Sequence, residues 1–429
     1  MSSASLNSRD AQTSETASAR RRPCRSCGAE LKHTFIDLGM SPLANSNVES
    51  GKRDRMEPFY PLHAYVCHEC FLVQLEEFET PQHIFSDYAY LSSFSESWVQ
   101  HARRYVDMIV GRLALGPDSQ VVEIASNDGY LLQFVVAKKI KALGIEPASN
   151  IAKLAVEKGI PTESRFFGTQ TARDLAEKGV RADLIVANNV LAHVPDLNDF
   201  IEGLSIFLAP AGTVTCEFPH LLQLMHGCEF DTIYHEHFSY FSLLAVSKAF
   251  ARHGLAVVDV EELPTHGGSL RVYVSRADGR STTVSAQVTD LLRREREAGL
   301  ATLAPYLSFA GQAEIAKRRL LSFLIQAKGE GKSIVGYGAP AKGNTLLNYC
   351  GVRSDFIDYV VDRNPLKQGR LLPGTRIPIH DPERIRETRP DYLLLLPWNL
   401  RDEIIGQMSY VREWGCRFVT PLPDVRLYE

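Results

Sequence analysis

The sequence predicts an α/β protein: a doubly wound parallel sheet, preceded by a metal-binding lobe and followed by a second α/β unit. Three observations predict it. Short β-rich runs alternate with helical periodicity over residues 118–217, two Cys-x-x-Cys pairs precede that stretch, and a further strand–loop–helix alternation begins at residue 333. At 429 residues the chain exceeds one ordinary core, and about 150 residues per domain gives roughly three units. Its 45% hydrophobic and 23% charged content is that of a soluble globular protein. A net charge of −4 leaves little basic excess for wrapping nucleic acid, so no nucleic-acid partner is expected. No run approaches the ~18 apolar residues of a membrane span, and the strongest, 393–396, is strand length; no membrane partner is expected either. Residues 1–22 are rich in Ser, Ala, Thr and Arg without an apolar stretch, which predicts a disordered tail and no secretory signal.

Cys24-Arg-Ser-Cys27-Gly28 and Cys67-His-Glu-Cys70 each offer two thiolates from one tight knuckle. Four sulfur ligands with no position left for water suit a structural zinc, and this sparse cysteine usage fits a reducing cytoplasm. Residues 35–38 and 60–66 read as strands between the two pairs.

In the central stretch, strands are expected over 121–124, 142–145, 183–187 and 213–217, with helices over 130–139, 151–158 and 197–208. Ligands of such sheets bind beyond the carboxyl ends of the strands. There the sequence places Glu123-Ile-Ala-Ser126-Asn127-Asp128-Gly129, then Glu146-Pro, then Asn188-Asn189. An acid at the second strand end, ~20 residues past the turn, suits two ribose hydroxyls. The turn lacks G-x-G-x-x-G, and Asp128 within it would repel a phosphate while suiting a cation. A sulfonium cofactor with an amino-acid ammonium fits better than a dinucleotide.

Beyond residue 284 the charged run Arg293, Arg294, Glu295, Arg296, Glu297 reads as a solvated helix face, followed by an amphipathic helix over 313–328. Strands over 333–338, 359–361 and 392–395, with a helix over 341–350, make the second unit. Gly336-x-Gly338-x-x-x-Lys342-Gly343 lies between strand and helix, where backbone N–H groups and a lysine could cradle a diphosphate. Asp362 and the turn Pro397-Trp398-Asn399 are further candidate nucleotide contacts.

These motifs occur in one order together with Tyr88-Ala-Tyr90-Leu-Ser-Ser, His193-Val-Pro-Asp196, Tyr234-His-Glu236-His237-Phe-Ser-Tyr240, His266-Gly-Gly-Ser-Leu and Gly336-Tyr-Gly338-Ala-Pro-Ala-Lys342-Gly-Asn344. In this respect the chain resembles the zinc-containing, S-adenosylmethionine-dependent sugar C-methyltransferases that act on nucleotide-linked 4-keto deoxysugars. Ala125 departs from the glycine that family favours. The resemblance implies a zinc-binding lobe over 23–85, a Rossmann-like class I methyltransferase domain over 86–280 and a nucleotide-sugar-binding domain over 281–429. It implies cofactor contacts from Glu123, Ser126, Asn127, Asp128, Gly129, Glu146, Asn188 and Asn189. His237 would be the base that takes the C-3 proton, Glu236 would position it or the sugar, and Tyr234 with His193 would contact the sugar or its enolate. Tyr90 or Tyr88 would close the pocket; Gly338, Lys342, Asn344 and Asp362 would hold the nucleotide sugar. The zinc on Cys24, Cys27, Cys67 and Cys70 would be structural, and the protein a cytoplasmic monomer or weak homodimer. C-5 methylation, a nicotinamide-dependent sugar-nucleotide oxidoreductase, a non-catalytic zinc-ribbon RNA-binding adaptor, and methylation of another acceptor are the alternatives. The identity of the nucleotide, dTDP, GDP or CDP, stays open.

Overall fold

Alternating β-rich and helical runs fold into the expected parallel sheet, which the computed structural model describes together with the rest of residues 21–80, 91–279 and 283–429. Most of the expected tail, and both Tyr88 and Tyr90, lie outside the described residues. Seven strands lie in the spatial order Thr162–Glu163, Lys141–Ile145, Gln120–Ile124, Ala182–Asn188, Leu208–Pro219, Ser269–Arg276 and Leu255–Leu263. The first five run parallel, and Ser269–Arg276 is inserted antiparallel between the fifth and the last. This is the class I Rossmann-like sheet, and its order reverses between Gln120–Ile124 and Ala182–Asn188, so the ligand crevice opens above those two strand ends.

Helix limits differ from expectation for local reasons. The helix expected over 130–139 shortens to Leu132–Ala137. Lys139 turns left-handed at φ +60°, with its N–H on the Val136 carbonyl, and stops it. The helix expected from residue 313 instead spans Ala304–Gly329, with Pro305 in its first turn. Its buried face, Tyr306, Phe309, Ala313, Ala316, Leu320, Leu324 and Ala327, repeats every three or four residues. Asp196 caps the helix Leu197–Phe207 by accepting the Asp199 N–H at 3.0 Å, which gives that carboxylate a structural task. The charged run at 293–297 is not uniformly solvated. Glu295 is fully buried on the helix Ala286–Glu297, where it accepts the Leu243 and Leu244 N–H groups and meets His220 Nε2 at 2.7 Å. It serves the open end of the helix Leu243–Ala251, a long-range role that local charge patterning does not encode.

The N-terminal lobe is a four-stranded sheet, His33–Ser41, Tyr60–Val66, Val73–Leu75 and Ser239–Tyr240. Its last strand comes from far along the chain and begins two residues after His237. Phe35 stacks on Phe309 at 4.6 Å, so the long helix Ala304–Gly329 packs on the lobe, and one core continues into the C-terminal sheet. That sheet has the order Ile379–His380, Val360–Val361, Ile334–Tyr337, Tyr392–Leu395, Arg417–Thr420 and Arg426–Tyr428. All but the last strand are parallel. A two-stranded pairing of Val48–Glu49 with Arg370–Leu371 ties lobe to C-terminal unit a second time. Among the described residues no helix is long and apolar enough to cross a membrane.

Candidate active site

The four cysteine sulfurs converge to within 4.8 Å of one another, with Cys24–Cys70 and Cys27–Cys67 each at 3.5 Å. Sulfur atoms of a tetrahedral zinc with ~2.3 Å bonds lie roughly 3.8 Å apart, so the donor set fits the ion. The knuckles share one backbone form: Gly28 N–H returns to the Cys24 carbonyl at 2.8 Å and Phe71 N–H to Cys67 at 2.9 Å, with φ of +76° and +63°. Glycine advertises the first left-handed turn; phenylalanine conceals the second. Gln74 Nε2 donates to Cys24 Sγ at 3.2 Å from a fully buried position.

At the sheet's crevice, Glu146 accepts the Asn127 N–H at 2.9 Å on one oxygen and the Ala148 N–H at 2.8 Å on the other. Each oxygen keeps a further lone pair, which suits a pair of ribose hydroxyls. Buried Glu123 has its acid form favoured by desolvation, and its Oε2 and the Asn188 Oδ1 find no hydrogen-bond partner among the described residues. Orphaned acceptors at two strand ends are what a cofactor rich in hydroxyl and amino groups would satisfy. Asn127 Oδ1 accepts the Ser92 N–H at 2.9 Å, Asn189 N–H donates to the Glu217 carbonyl at 2.7 Å, and both residues are left-handed. Asp128 pairs with Lys158 at 2.7 Å, leaving its other oxygen unpartnered among the described residues. Ser126 is buried against Gly144, whose added Cβ would sit 2.4 Å from the serine oxygen. Gly129 completes the turn at φ +78°. Ala125 adopts φ +52°, which explains why glycine suits this position: a Cβ there costs about 1 kcal/mol.

The run 234–237 lies where lobe, central sheet and C-terminal unit meet. It forms a turn, His237 N–H donating to the Tyr234 carbonyl at 2.8 Å, which brings residues 234 and 237 to one side. His235 and Glu236 are buried, whereas Tyr234 and His237 keep partial access to the cleft. His237 Nδ1 faces the Thr232 carbonyl at 3.1 Å and therefore carries the proton, leaving Nε2 as acceptor 2.8 Å from the Tyr234 hydroxyl. His193 presents its ring edge to His237 at 4.6 Å between centroids and donates Nδ1–H to the Glu236 carbonyl at 2.8 Å. Desolvation keeps both imidazoles neutral, His237 held well below the usual histidine range and His193 at about 4. His235 points away, with Nε2 3.2 Å from the Pro61 carbonyl in the lobe.

Glu236 is gripped by Asn45 Nδ2 at 2.8 and 2.9 Å, and burial raises its pKa to about 7 despite the nearby Lys367. Folding thus favours its acid form. The associated stability is complete below pH ~4.5 and is lost as pH rises through ~7, up to about 3 kcal/mol. Glu236→Gln is expected to raise the melting temperature relative to the parent at pH 8 and to leave it unchanged near pH 4. A difference of equal size at both pH values would show that Glu236 does not titrate in this way.

Asp231, three residues before Tyr234, accepts Trp398 Nε1–H at 2.7 Å, and Lys342 lies over the Trp398 ring at 4.4 Å with its ammonium on Asn399 Oδ1 at 2.9 Å. Thr345 donates to the Ile233 carbonyl at 3.1 Å, so the helix Ala341–Cys350 holds the segment that leads into the run 234–237 on its flank. Gly338 holds φ +83° beside Pro397, which a Cβ would approach to 2.7 Å; only glycine fits there. Asp362 braces the same loop, accepting Ala339 N–H at 2.8 Å, while Lys367 donates to the Ala339 carbonyl at 2.8 Å. Asn344 Nδ2 donates to the Ala44 carbonyl at 2.6 Å. Asn45, Asp231 and Lys367 carry no sequence signal of their own, since each acquires its place through a contact between separate units.

Three family models match the chain: "Putative zinc binding domain" over residues 24–85, "Methyltransferase domain" over 98–260 and "C-methyltransferase C-terminal domain" over 264–423. The C-methyltransferase NovU of Streptomyces niveus is 36% identical over 404 residues, covering 94% of this chain and 96% of that protein. Ubiquinone biosynthesis O-methyltransferase of Methylobacterium sp. (strain 4-46) is 31% identical over 110 residues, covering 24% of this chain and 43% of that one. Among solved structures, magnesium protoporphyrin IX methyltransferase from Synechocystis PCC 6803 with bound SAM superposes with a TM-score of 0.31 at 15% identity, over 46% of this chain and 88% of that one.

Proposed function

Since the chain belongs to the zinc-containing, S-adenosylmethionine-dependent C-methyltransferases, we propose that it methylates C-3 of a nucleotide-linked 4-keto-6-deoxysugar through an enolate. The observation that carries this reading is the neutral His237, with Nε2 unprotonated and 2.8 Å from the Tyr234 hydroxyl at the mouth of the cleft. Carbon becomes a nucleophile when a base removes a proton beside a ketone and the enolate oxygen is stabilised. His237 Nε2 takes that proton, since its Nδ1–H is committed to the Thr232 carbonyl. Tyr234 turns its hydroxyl from Nε2 to the developing enolate oxygen, and His193 braces the ring from the side. Glu236, near its pKa of about 7, accepts from or donates to a sugar hydroxyl. When bound, S-adenosylmethionine would supply an electrophilic methyl carbon; Glu146, Asn127 and Asn188 would hold it. The loop at Gly338, with Lys342, Lys367 and the N-terminus of the helix Ala341–Cys350, receives the diphosphate.

The decisive experiment is mass spectrometry of the full-length protein with methyl-labelled S-adenosylmethionine and a panel of 4-keto-6-deoxysugar nucleotides in deuterated water. Label on the sugar carbon, placed at C-3 by fragmentation, is expected. Label at C-5 would correct the position, and label on oxygen or on no sugar would overturn the acceptor.

A further inference from the structure

Arg25 sits inside the first metal knuckle, between Cys24 and Cys27, yet its side chain reaches out of the lobe. Nη1 donates to the Pro195 carbonyl at 2.7 Å and Nη2 to the Leu75 carbonyl. The guanidinium carbon lies 5.4 Å from the Phe238 ring centroid. Its own backbone is fixed as well: Arg25 N–H donates to Gln74 Oε1 at 2.9 Å, and Asn198 Nδ2 donates to its carbonyl at 3.0 Å. Gln74 is the residue whose amide also reaches Cys24 Sγ.

These partners converge on two short segments. Pro195 lies two residues after His193, and Phe238 directly follows His237. Leu75 ends the strand that pairs with Ser239–Tyr240, and its N–H donates to the Phe238 carbonyl at 3.0 Å. Phe238 N–H in turn donates to the Ala192 carbonyl at 2.7 Å. A planar guanidinium with charge-assisted bonds to two carbonyls fixes both distance and orientation, which a flexible point charge does not.

We infer that Arg25 is a positioning residue for the imidazole pair: from within the zinc knuckle it locks the loop after His193 to the segment after His237, so that the folded lobe sets the geometry of proton removal. This rests on the reading of His237 as base, while the clamp itself rests only on the contacts above. A displacement of about 1 Å at a reacting group costs on the order of 100-fold in rate, so one pair of bonds at this junction has leverage.

The test compares Arg25→Ala and Arg25→Lys in the full-length, zinc-loaded protein. Both are expected to retain zinc and S-adenosylmethionine binding. Amide hydrogen exchange in peptides covering 192–196 and 237–240 should accelerate by about tenfold or more in Arg25→Ala, with the helix Ala341–Cys350 unchanged. Turnover, kcat, should fall by about 10- to 100-fold with KM within about threefold. Lysine can reach one carbonyl but not both, so it should fall between parent and alanine. Unchanged exchange in those two peptides overturns the inference, as does a rate loss confined to KM or one that disappears on restoring zinc. If Arg25→Ala does not fold, Arg25→Lys decides on the same readouts. Should His237→Asn keep its activity, the base reading falls and the exchange result still decides Arg25; unchanged exchange removes Arg25 and leaves the base standing.

Discussion

Replacing His237 by asparagine is expected to abolish both methyl transfer and solvent deuterium exchange at the acidic sugar carbon, each by about 10²- to 10⁴-fold. Asparagine keeps a polar group against Tyr234 and the Thr232 carbonyl, the two partners of the imidazole, but it cannot accept a proton. Both reactions should fail together, because in the proposed mechanism proton removal precedes carbon attack. Cofactor affinity should hold, since Glu146, Asn127 and Asn188 sit on strand ends that His237 does not touch. Three comparisons sharpen the result. Tyr234→Phe should slow both reactions while leaving exchange measurable, because the base survives and only a donor to the enolate is gone. His235→Ala should leave the chemistry largely intact, its ring being bound to the lobe at Pro61. With His237 as the proposed base, the neutral imidazole is the working form, and burial holds its pKa well below 6.5. Kcat governed by this group should therefore stay level from pH 8 to pH 6.5 and decline only below that. An active His237→Asn enzyme, or exchange that persists without methylation, would sink the assignment.

Much of the candidate site is legible in the sequence because its residues sit at strand ends and in compact runs. The Cys-x-x-Cys pairs, the turn at 126–129, Glu146 and Asn188 follow from local pattern, and so does Gly338, whose conformation and crowding exclude a side chain. What stayed hidden is long-range. Ser239–Tyr240 completes a sheet begun some two hundred residues earlier in the chain. Asn45 finds Glu236 only once that sheet has formed, and Asp231 finds Trp398 only across the junction with the C-terminal unit. Glu295 looked like one charge among five and proves to be a buried acceptor for a helix end. Phe71 adopts the left-handed turn that glycine marks in the sister knuckle, because packing on Tyr306, at 6.0 Å, overrides its local preference. Tyr88 and Tyr90 fall outside the described residues, and their closing role remains a proposal from the resemblance.

Stripping the zinc with a chelator, or changing Cys67 to serine, is expected to eliminate activity while leaving S-adenosylmethionine binding within a few-fold of the parent. The two effects separate because the lobe and the central sheet are folded by different means. Two of the lobe's four strands are short, Val73–Leu75 with three residues and Ser239–Tyr240 with two, and a four-thiolate zinc contributes about 10–16 kcal/mol to folding in small domains. Without the ion, the turn Cys67–Cys70 that joins Tyr60–Val66 to Val73–Leu75 loses its anchor, and the register of Val73–Leu75 against Ser239–Tyr240 is expected to loosen although Val73 and Leu75 stay in the shared core. Glu236 is then held less firmly by Asn45, and the segment after His237 by its sheet neighbour. The strands that bear Glu123, Glu146 and Asn188 pair with one another, and on one face Val121, Leu184 and Val186 pack against helices of the central unit alone; on the other face Cys24, Tyr65 and Leu72 of the lobe join the core of Val122 and Ile185, so cofactor binding is expected to weaken a few-fold and not to vanish. Calorimetric titration with S-adenosylmethionine, beside turnover and metal content, measures both halves. A zinc-free enzyme with parental kcat would show that the lobe merely accompanies the site; loss of cofactor binding in step with the metal would show that the central sheet leans on the lobe too. The expected split, binding retained and chemistry lost, follows from the run 234–237 leading into Ser239–Tyr240, the edge strand of the lobe's sheet.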